Sequence, residues 1–465
     1  MKVKASMPVR MNLVVPLPHE GTDTRITETA AHAQSRPGAV APLIGESLRP
    51  GDVKSTSRRS TPALTRGSST STTATRTTAT RTTSSSAEPS ADSAVPFSFS
   101  ELVDAYMACR LSKRNSASAL AFEAHLERNL CDLHDELISG KYRPGRSICF
   151  VITRPKPREV WAADFRDRVV HHLLYNRVAP RFYASFIANS CACIPGRGTL
   201  YAAQRLEASV RSVTQNWSRP AHYLKCDLAN FFVAIDKHVL RAQLARRIDE
   251  PFWLQLTEAV LFHDPRADHE VRGEASRLGL VPPHKSLFNA PADTGLPIGN
   301  LSSQFFANVF LDELDQYAKH RIGARHYVRY VDDFILLHES PEWLNAALAE
   351  ITAFLPNRLG AQLNPRKTIL QPVERGIDFV GHVIKPWCRT TRPRTLRAGL
   401  QRIQSLPADE LWTVANSYLG LLRQASHSHH DRARLANAIR RRGHCVKADL
   451  TKVYRNSTAN SPLHT

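Results

Sequence analysis

Two adjacent acids, Asp332 and Asp333, interrupt an apolar run that reads RYV before them and FILL after them. Aromatic and β-branched residues on both sides predict two short strands across His326 to Leu337, joined by a tight turn at the acids. Carboxylates inside an apolar strand pair cost free energy unless a cation or a partner compensates them. Asp also favours turns, so taken alone the pair is ordinary turn chemistry. A third acid, Asp227, ends a strand-like run from Tyr223 and is followed by Leu-Ala-Asn-Phe-Phe232. A fold that brings this strand end to the hairpin turn gathers three carboxylates on one sheet surface. Such a set suits two Mg²⁺ ions ~3.5–4 Å apart, with Mn²⁺ as a substitute, and supports in-line phosphoryl transfer.

Elsewhere helical and strand signals interleave, and the fold class expected is α+β. Helical periodicity runs through residues 100–140, with Leu102, Tyr106 and Met107, then Leu120, Phe122, Leu126, Leu130, Leu133 and Leu137, stopped by Gly140. Ser147 to Thr153 reads as a strand, followed by a basic, Pro-punctuated turn from Arg154 to Arg158. Residues 164–180 read as a helix ended by Pro180, and another helix is expected near 237–247. Residues 264–294, polar and rich in Pro and His, read as a long loop. Ser302 and Ser303 are expected to cap a helix carrying Phe305, Phe306, Val309, Phe310 and Leu314. A helix near 342–355, strands at 368–373 and 377–384, and a basic helical region from about 395 to 442 complete the reading.

Residues 1–95 are a different material. Ser, Thr and Ala with scattered Arg dominate Lys54 to Ala94, and ATRTT occurs twice in tandem. So little apolar surface is available there that disorder is expected. Glu20, Asp23, Glu28 and Glu46 weaken a transit-peptide reading, so a dispensable extension is the expectation. Residues 1–100 hold 12 basic and 7 acidic side chains against 62 and 42 in the whole chain, so most of the net charge of +20 lies beyond them. That excess points to a polyanionic partner, nucleic acid before anionic membrane. No run approaches the ~18 apolar residues of a membrane helix. The eight cysteines form no CxxC pair, which argues against a zinc ribbon or a disulfide scaffold. A cytoplasmic bacterial protein without a membrane partner is expected.

The segment Tyr330-Val331-Asp332-Asp333 resembles the YxDD box of reverse transcriptases, and further stretches resemble that family's motifs in the family's order. Asp227, with Phe232 five residues on, resembles the first catalytic motif. Gly295-Leu-Pro-Ile298-Gly299-Asn-Leu-Ser-Ser303-Gln304 resembles the loop and helix that pack against the nascent base pair. Leu363 to Thr368 and Gly376 to Gly381 resemble the two later palm motifs. The resemblance spans about residues 100–440. It implies a right-hand polymerase with fingers and palm over 96–394, a basic helical thumb over 395–445 and a tail over 446–465.

It also implies roles. Asp227 and Asp332 would be the principal metal ligands, with Asp333 adjacent. Phe232 would gate the sugar and select deoxynucleotides; the alternative is a core aromatic beside Phe231. Lys156 and Arg158 would meet the incoming dNTP, or alternatively template phosphates. Lys367 would serve the pyrophosphate, or stand as a solvated lysine. Gly299 would admit the nucleotide close to the backbone. Tyr330 would pack under the primer terminus, and Phe379 and Gly381 would form the primer grip. Arg394, Arg397, Arg402, Arg423, Arg432, Arg434 and Arg440 to Arg442 would follow an RNA–DNA duplex; the alternative is a solvated basic face.

Ile298 before Gly299, and Ser303-Gln304 after it, resemble the reverse transcriptases of diversity-generating retroelements, which copy a template RNA with errors at adenines. On that resemblance Ile298 and Gln304 are candidates for a mutagenic site; otherwise they pack the helix start. The partners implied are template RNA and a small basic accessory protein. About twenty residues follow the expected thumb, so no RNase H, maturase or endonuclease domain is expected. Two rivals stand: an antiviral defence reverse transcriptase of an unclassified bacterial group, and an inactive RNA-binding scaffold. The three carboxylates and Phe232 argue against the scaffold. Phe232, with YVDD rather than GDD, also disfavours an RNA-dependent RNA polymerase.

Overall fold

The computed structural model describes residues 95–111, 116–154 and 156–454. The extension expected to be disordered, up to residue 94, lies outside the described residues. The chain is α+β. Three helices open it: α1 (Phe99–Arg110), α2 (Ala117–Glu123) and α3 (Leu126–Ile138). They replace the continuous periodicity expected over 100–140, and Met107 and Leu120 face solvent instead of the core. A hairpin of β1 (Ser147–Ile152) and β2 (Arg158–Ala163) leads into α4 (Phe165–Tyr183). Pro180 lies inside α4, in its last turn, and does not end it. Next come α5 (Thr199–Val213), β3 (His222–Asp227), the single turn α6 (Phe231–Ala234), α7 (Lys237–Ala245) and α8 (Pro251–Phe262).

The segment read as a loop over 264–294 is built rather than irregular. It contains β4 (His269–Val271), which pairs parallel with β1, and three short 3₁₀ turns. Buried Glu159 holds it down by accepting from Leu287 N at 2.9 Å and Trp161 Nε1 at 3.2 Å. Then α9 (Leu301–His320) runs through the middle of the molecule, burying Phe305, Phe306, Phe310, Leu311 and Leu314. Its N-cap is Asn300, one position before the helix. Ser302 and Ser303, expected as caps, are buried within the first turn.

Strands β5 (His326–Tyr330) and β6 (Asp333–His338), helix α10 (Pro341–Leu359) and β7 (Ile369–Pro372) complete a four-stranded antiparallel sheet in the order β5-β6-β3-β7. Side-chain alternation divides its faces. Leu224, Cys226, Tyr327, Phe334 and Leu336 pack with α9 and α10, whereas Tyr223, Val328, Ile335 and Leu337 pack with α5. The second strand expected, over 377–384, is two: β8 (Ile377–Phe379) and β9 (His382–Lys385) turn back at Val380 and Gly381, whose φ values are +42° and +93°. Strand β10 (Cys388–Thr391) joins them.

A separate core of Ile403, Leu411, Leu419, Leu422, Leu435 and Ile439 unites α11 (Pro393–Ser405), α12 (Ala408–Leu422) and α13 (His429–Arg441). Residues 446–454 are part of it rather than a free tail. Val453 is fully buried there, donating to Asn416 Oδ1 at 2.9 Å and accepting from Trp412 Nε1 at 3.0 Å.

Candidate active site

Strand register assembles the acids. Asp227 is the last residue of β3 and Asp333 the first of β6, and the two face each other across the ladder. Being even steps from Tyr223 and Ile335, both project on the α5 side of the sheet, with Lys225 and Tyr330 beside them. A one-residue slip would send them into the α9 core instead. The β5–β6 turn consists of Val331 and Asp332, since Tyr330 pairs with Asp333. Asp333 is therefore a strand residue, not the turn residue expected. Val331 has φ +55°, the positive angle that two-residue hairpin turns need at their first central position. Leu228 N donates to the Asp332 carbonyl at 3.3 Å, tying the turn to the end of β3.

Two lysines meet the acids. Asn364 N donates to the Asp227 carbonyl at 2.8 Å, which docks the 363–367 segment beside β3. From there Lys367 Nζ reaches both carboxylate oxygens of Asp227, at 2.6 and 2.7 Å. Lys225 Nζ lies 3.3 Å from Asp333 Oδ2. Asp332 has neither, and its carboxyl is pushed up to about 6 by burial, then by the charge of Asp227. Burial also raises Asp333, opposed by Lys225. Lys225 was not among the residues singled out from sequence; its place two residues before Asp227 on the same strand was the available signal.

Among the described residues no group of three His, Cys, Asp or Glu side chains is gathered closely enough to hold a metal ion. The donor set nevertheless fits divalent cations. Asp227, Asp332 and Asp333 offer hard carboxylate oxygens at one end of the sheet, with Lys225 and Lys367 as counter-charge and the Asp332 carboxyl pushed up by burial.

The remaining expected residues fall into three groups. Phe232 lies on α6, its ring 5.3 Å from that of Phe231, and its carbonyl accepts from Leu296 N at 2.7 Å. Phe231 is the buried partner and Phe232 is only partly covered. The 295–300 loop therefore sits against the turn that follows Asp227. Ile298, two residues before the N-cap, and Gln304, in the first turn of α9, are part-exposed. Gly299 has φ +133°, and a Cβ there would lie 2.8 Å from the Trp161 carbonyl oxygen. The closest constraint the chain itself places on this glycine is β2.

Lys156 and Arg158 are exposed near the tip of the β1–β2 hairpin. Tyr330 is half-buried, and burial pushes its phenol up to about 12. Phe379 is fully buried among Tyr223, Val373 and Ile384, so its ring is core, while the neighbouring Val380-Gly381 turn is part-exposed. Two thumb-region arginines serve the fold. Arg442 donates to the carbonyls of Ile403, Gln404 and Leu406 at 2.8–2.9 Å, closing the end of α11, and Arg432 donates to the Asp449 carbonyl at 2.6 Å. Arg394, Arg397, Arg423, Arg434, Arg440 and Arg441 are exposed. Among the described residues no helix is long and apolar enough to cross a membrane.

A family model described as reverse transcriptase (RNA-dependent DNA polymerase) matches residues 154–384. The chain is similar to Protein YkfC of Escherichia coli (strain K12), at 24% identity over 334 residues, covering 64% of this chain and 81% of that protein. Among solved structures it is similar to telomerase from Candida albicans in complex with a fragment of telomeric RNA, at 13% identity and a TM-score of 0.40, covering 63% of this chain and 56% of that one. For apo telomerase from Candida tropicalis the identity is 12% and the TM-score 0.42, covering 60% and 52%. The chain spans a little over half the length of these telomerase chains.

Proposed function

We propose that this chain is an RNA-directed DNA polymerase, a reading supported by the reverse transcriptase family match over residues 154–384, in which Asp227, Asp332 and Asp333 hold two divalent cations, Mg²⁺ in the first place. The observation that carries this reading is the facing pair Asp227 and Asp333 beside an Asp332 carboxyl raised to about 6. Three acids kept together at this cost need more positive charge than Lys225 and Lys367 bring. When bound, the cations supply activation of a primer 3′-hydroxyl and charge stabilisation at the leaving pyrophosphate.

This chain's own side chains do the rest. Phe232, fastened through its backbone to Leu296, places an aromatic edge where a 2′-hydroxyl would sit and so selects dNTPs. Lys156 and Arg158 offer exposed charge to the triphosphate. Lys367, beside Asp227, would be positioned to neutralise or protonate the pyrophosphate. Gln304 and Ile298 line the approach to the templating base, Tyr330 lies under the primer terminus, and the Val380-Gly381 turn grips the primer. The β1–β2 region serves as fingers, the four-stranded sheet as palm and α11–α13 as a thumb whose exposed arginines follow the template duplex.

In biological role, the Ile298-Gly299 and Ser303-Gln304 pattern supports error-prone copying of a template RNA in a diversity-generating retroelement, with a small basic accessory protein as partner. The test is primer extension on RNA with Mg²⁺ and dNTPs, followed by sequencing of the products. Errors concentrated opposite adenines are expected. Accurate synthesis would turn the assignment to a defence role.

A further inference from the structure

Behind the acidic turn lies a buried charge that the polymerase chemistry does not use. Arg329, the penultimate residue of β5, is 1% exposed. Its Nε and Nη2 each donate to a carboxylate oxygen of Asp315 at 2.7 Å. Nη2 also donates to Ser190 Oγ at 2.8 Å, and Nη1 to Asn308 Oδ1 at 3.3 Å. The remaining bond runs from Nη1 to the backbone carbonyl of Val331 at 3.0 Å. Asp315 is fully buried and takes a further bond from the Tyr327 hydroxyl at 2.7 Å. Asp315 and Asn308 both belong to α9.

A buried ion pair is weak evidence for stability, because desolvation offsets much of the attraction and an apolar pair of similar shape would serve as well. An apolar side chain cannot, however, donate to a carbonyl. That carbonyl belongs to Val331, a β-branched residue held at φ +55°, where such side chains rarely sit. It immediately precedes Asp332.

We infer that Arg329 is a positioning residue: by holding the Val331 carbonyl against α9 it keeps the turn in its left-handed form and so fixes the direction in which the Asp332 carboxylate points. The inference rests on the reading of Asp332 as a cation ligand. It also makes α9, which begins at the 295–300 loop, and the acidic turn a single rigid body.

Mn²⁺ binding to the full chain, read from the free-ion electron paramagnetic resonance signal, tests this without any polymerase assay. Arg329→Lys keeps the buried charge but loses the five-bonded fork. Its Mn²⁺ dissociation constant is expected to rise about tenfold or more while the chain still melts cooperatively. Adding Val331→Gly, which takes a positive φ without strain, is expected to recover part of that loss. A purely structural role would change the melting temperature and leave Mn²⁺ affinity alone. Unchanged affinity in folded Arg329→Lys, or a double variant no better than Arg329→Lys, overturns the inference. If Arg329→Lys does not fold, Ser190→Ala removes one acceptor from the same guanidinium, with a smaller rise expected and no change overturning the idea. Absence of Mn²⁺ binding by the unaltered chain would instead overturn the metal reading itself.

Discussion

Asp227 and Asp333 face each other directly across antiparallel strands β3 and β6. Like charges in that position destabilise a sheet unless something reconciles them. Here the reconciliation is divided between Lys367 on Asp227 and Lys225 on Asp333, and Asp332, with neither, has its carboxyl pushed up to about 6.

Removal of one ligand carboxylate should abolish incorporation without unfolding the chain. Asp227→Asn and Asp332→Ala are each expected to lower kcat by about 10³-fold, equivalent to ~4 kcal/mol. Single-turnover primer extension measures this, with circular dichroism confirming the fold. Activity within tenfold of the unaltered chain would remove the acids from the reaction.

The Asp332 carboxyl gives metal binding and stability opposite pH dependences. Its pKa, about 6 when folded against an ordinary 3.8, means the folded state binds more protons between those values. Its contribution to stability is therefore greatest at low pH and falls as pH rises through that window, by at most ~3 kcal/mol. Cations compete with the proton, so stabilisation by Mg²⁺ should grow from pH 5 to pH 7.5. Melting temperatures with and without Mg²⁺ at the two values measure both trends. Asp332→Asn should flatten them.

Phe232→Ala should widen sugar selection. The expected result is a rise of tenfold or more, on the order of 1.4 kcal/mol, in the rNTP to dNTP ratio of kcat/KM. Unchanged discrimination would place the sugar gate on another side chain.

Gly299→Ala should destabilise the fold itself. The added Cβ would stand 2.8 Å from the Trp161 carbonyl oxygen and 2.9 Å from Val160 Cγ1, at a backbone angle of +133° that side chains rarely adopt. A loss of about 1–3 kcal/mol is expected in denaturant unfolding, before any effect on nucleotide affinity. Normal stability with weakened dNTP binding would restore the nucleotide as this glycine's reason.

Much of the site was readable because it depends on local pattern. The alternation around Asp227 and Asp332-Asp333 determines both the strands and the face the acids occupy. What the sequence concealed depends on long-range geometry. The partner of Lys367 appears only when Asn364 bonds the end of β3, 137 residues earlier in the chain. The polar segment 264–294 is held by contacts far apart in the chain, β4 on β1 and Leu287 N on the buried acid Glu159. Strand 377–384 breaks because Val380 and Gly381 adopt positive φ, which an apolar run does not announce. Arg442 and Arg432 looked like their exposed neighbours until the carbonyls they hold were in place.

Gly299 lies against the Trp161 carbonyl while the Ile298 carbonyl accepts from Trp161 N at 2.7 Å, and Asn300 Oδ1 accepts from Ala163 N at 3.0 Å. The base of the β1–β2 hairpin is thereby stitched to the segment that starts α9. A hairpin anchored in this way cannot swing as an independent flap. Its base and the start of α9 are bound to move together, so any shift of the one is carried to the other.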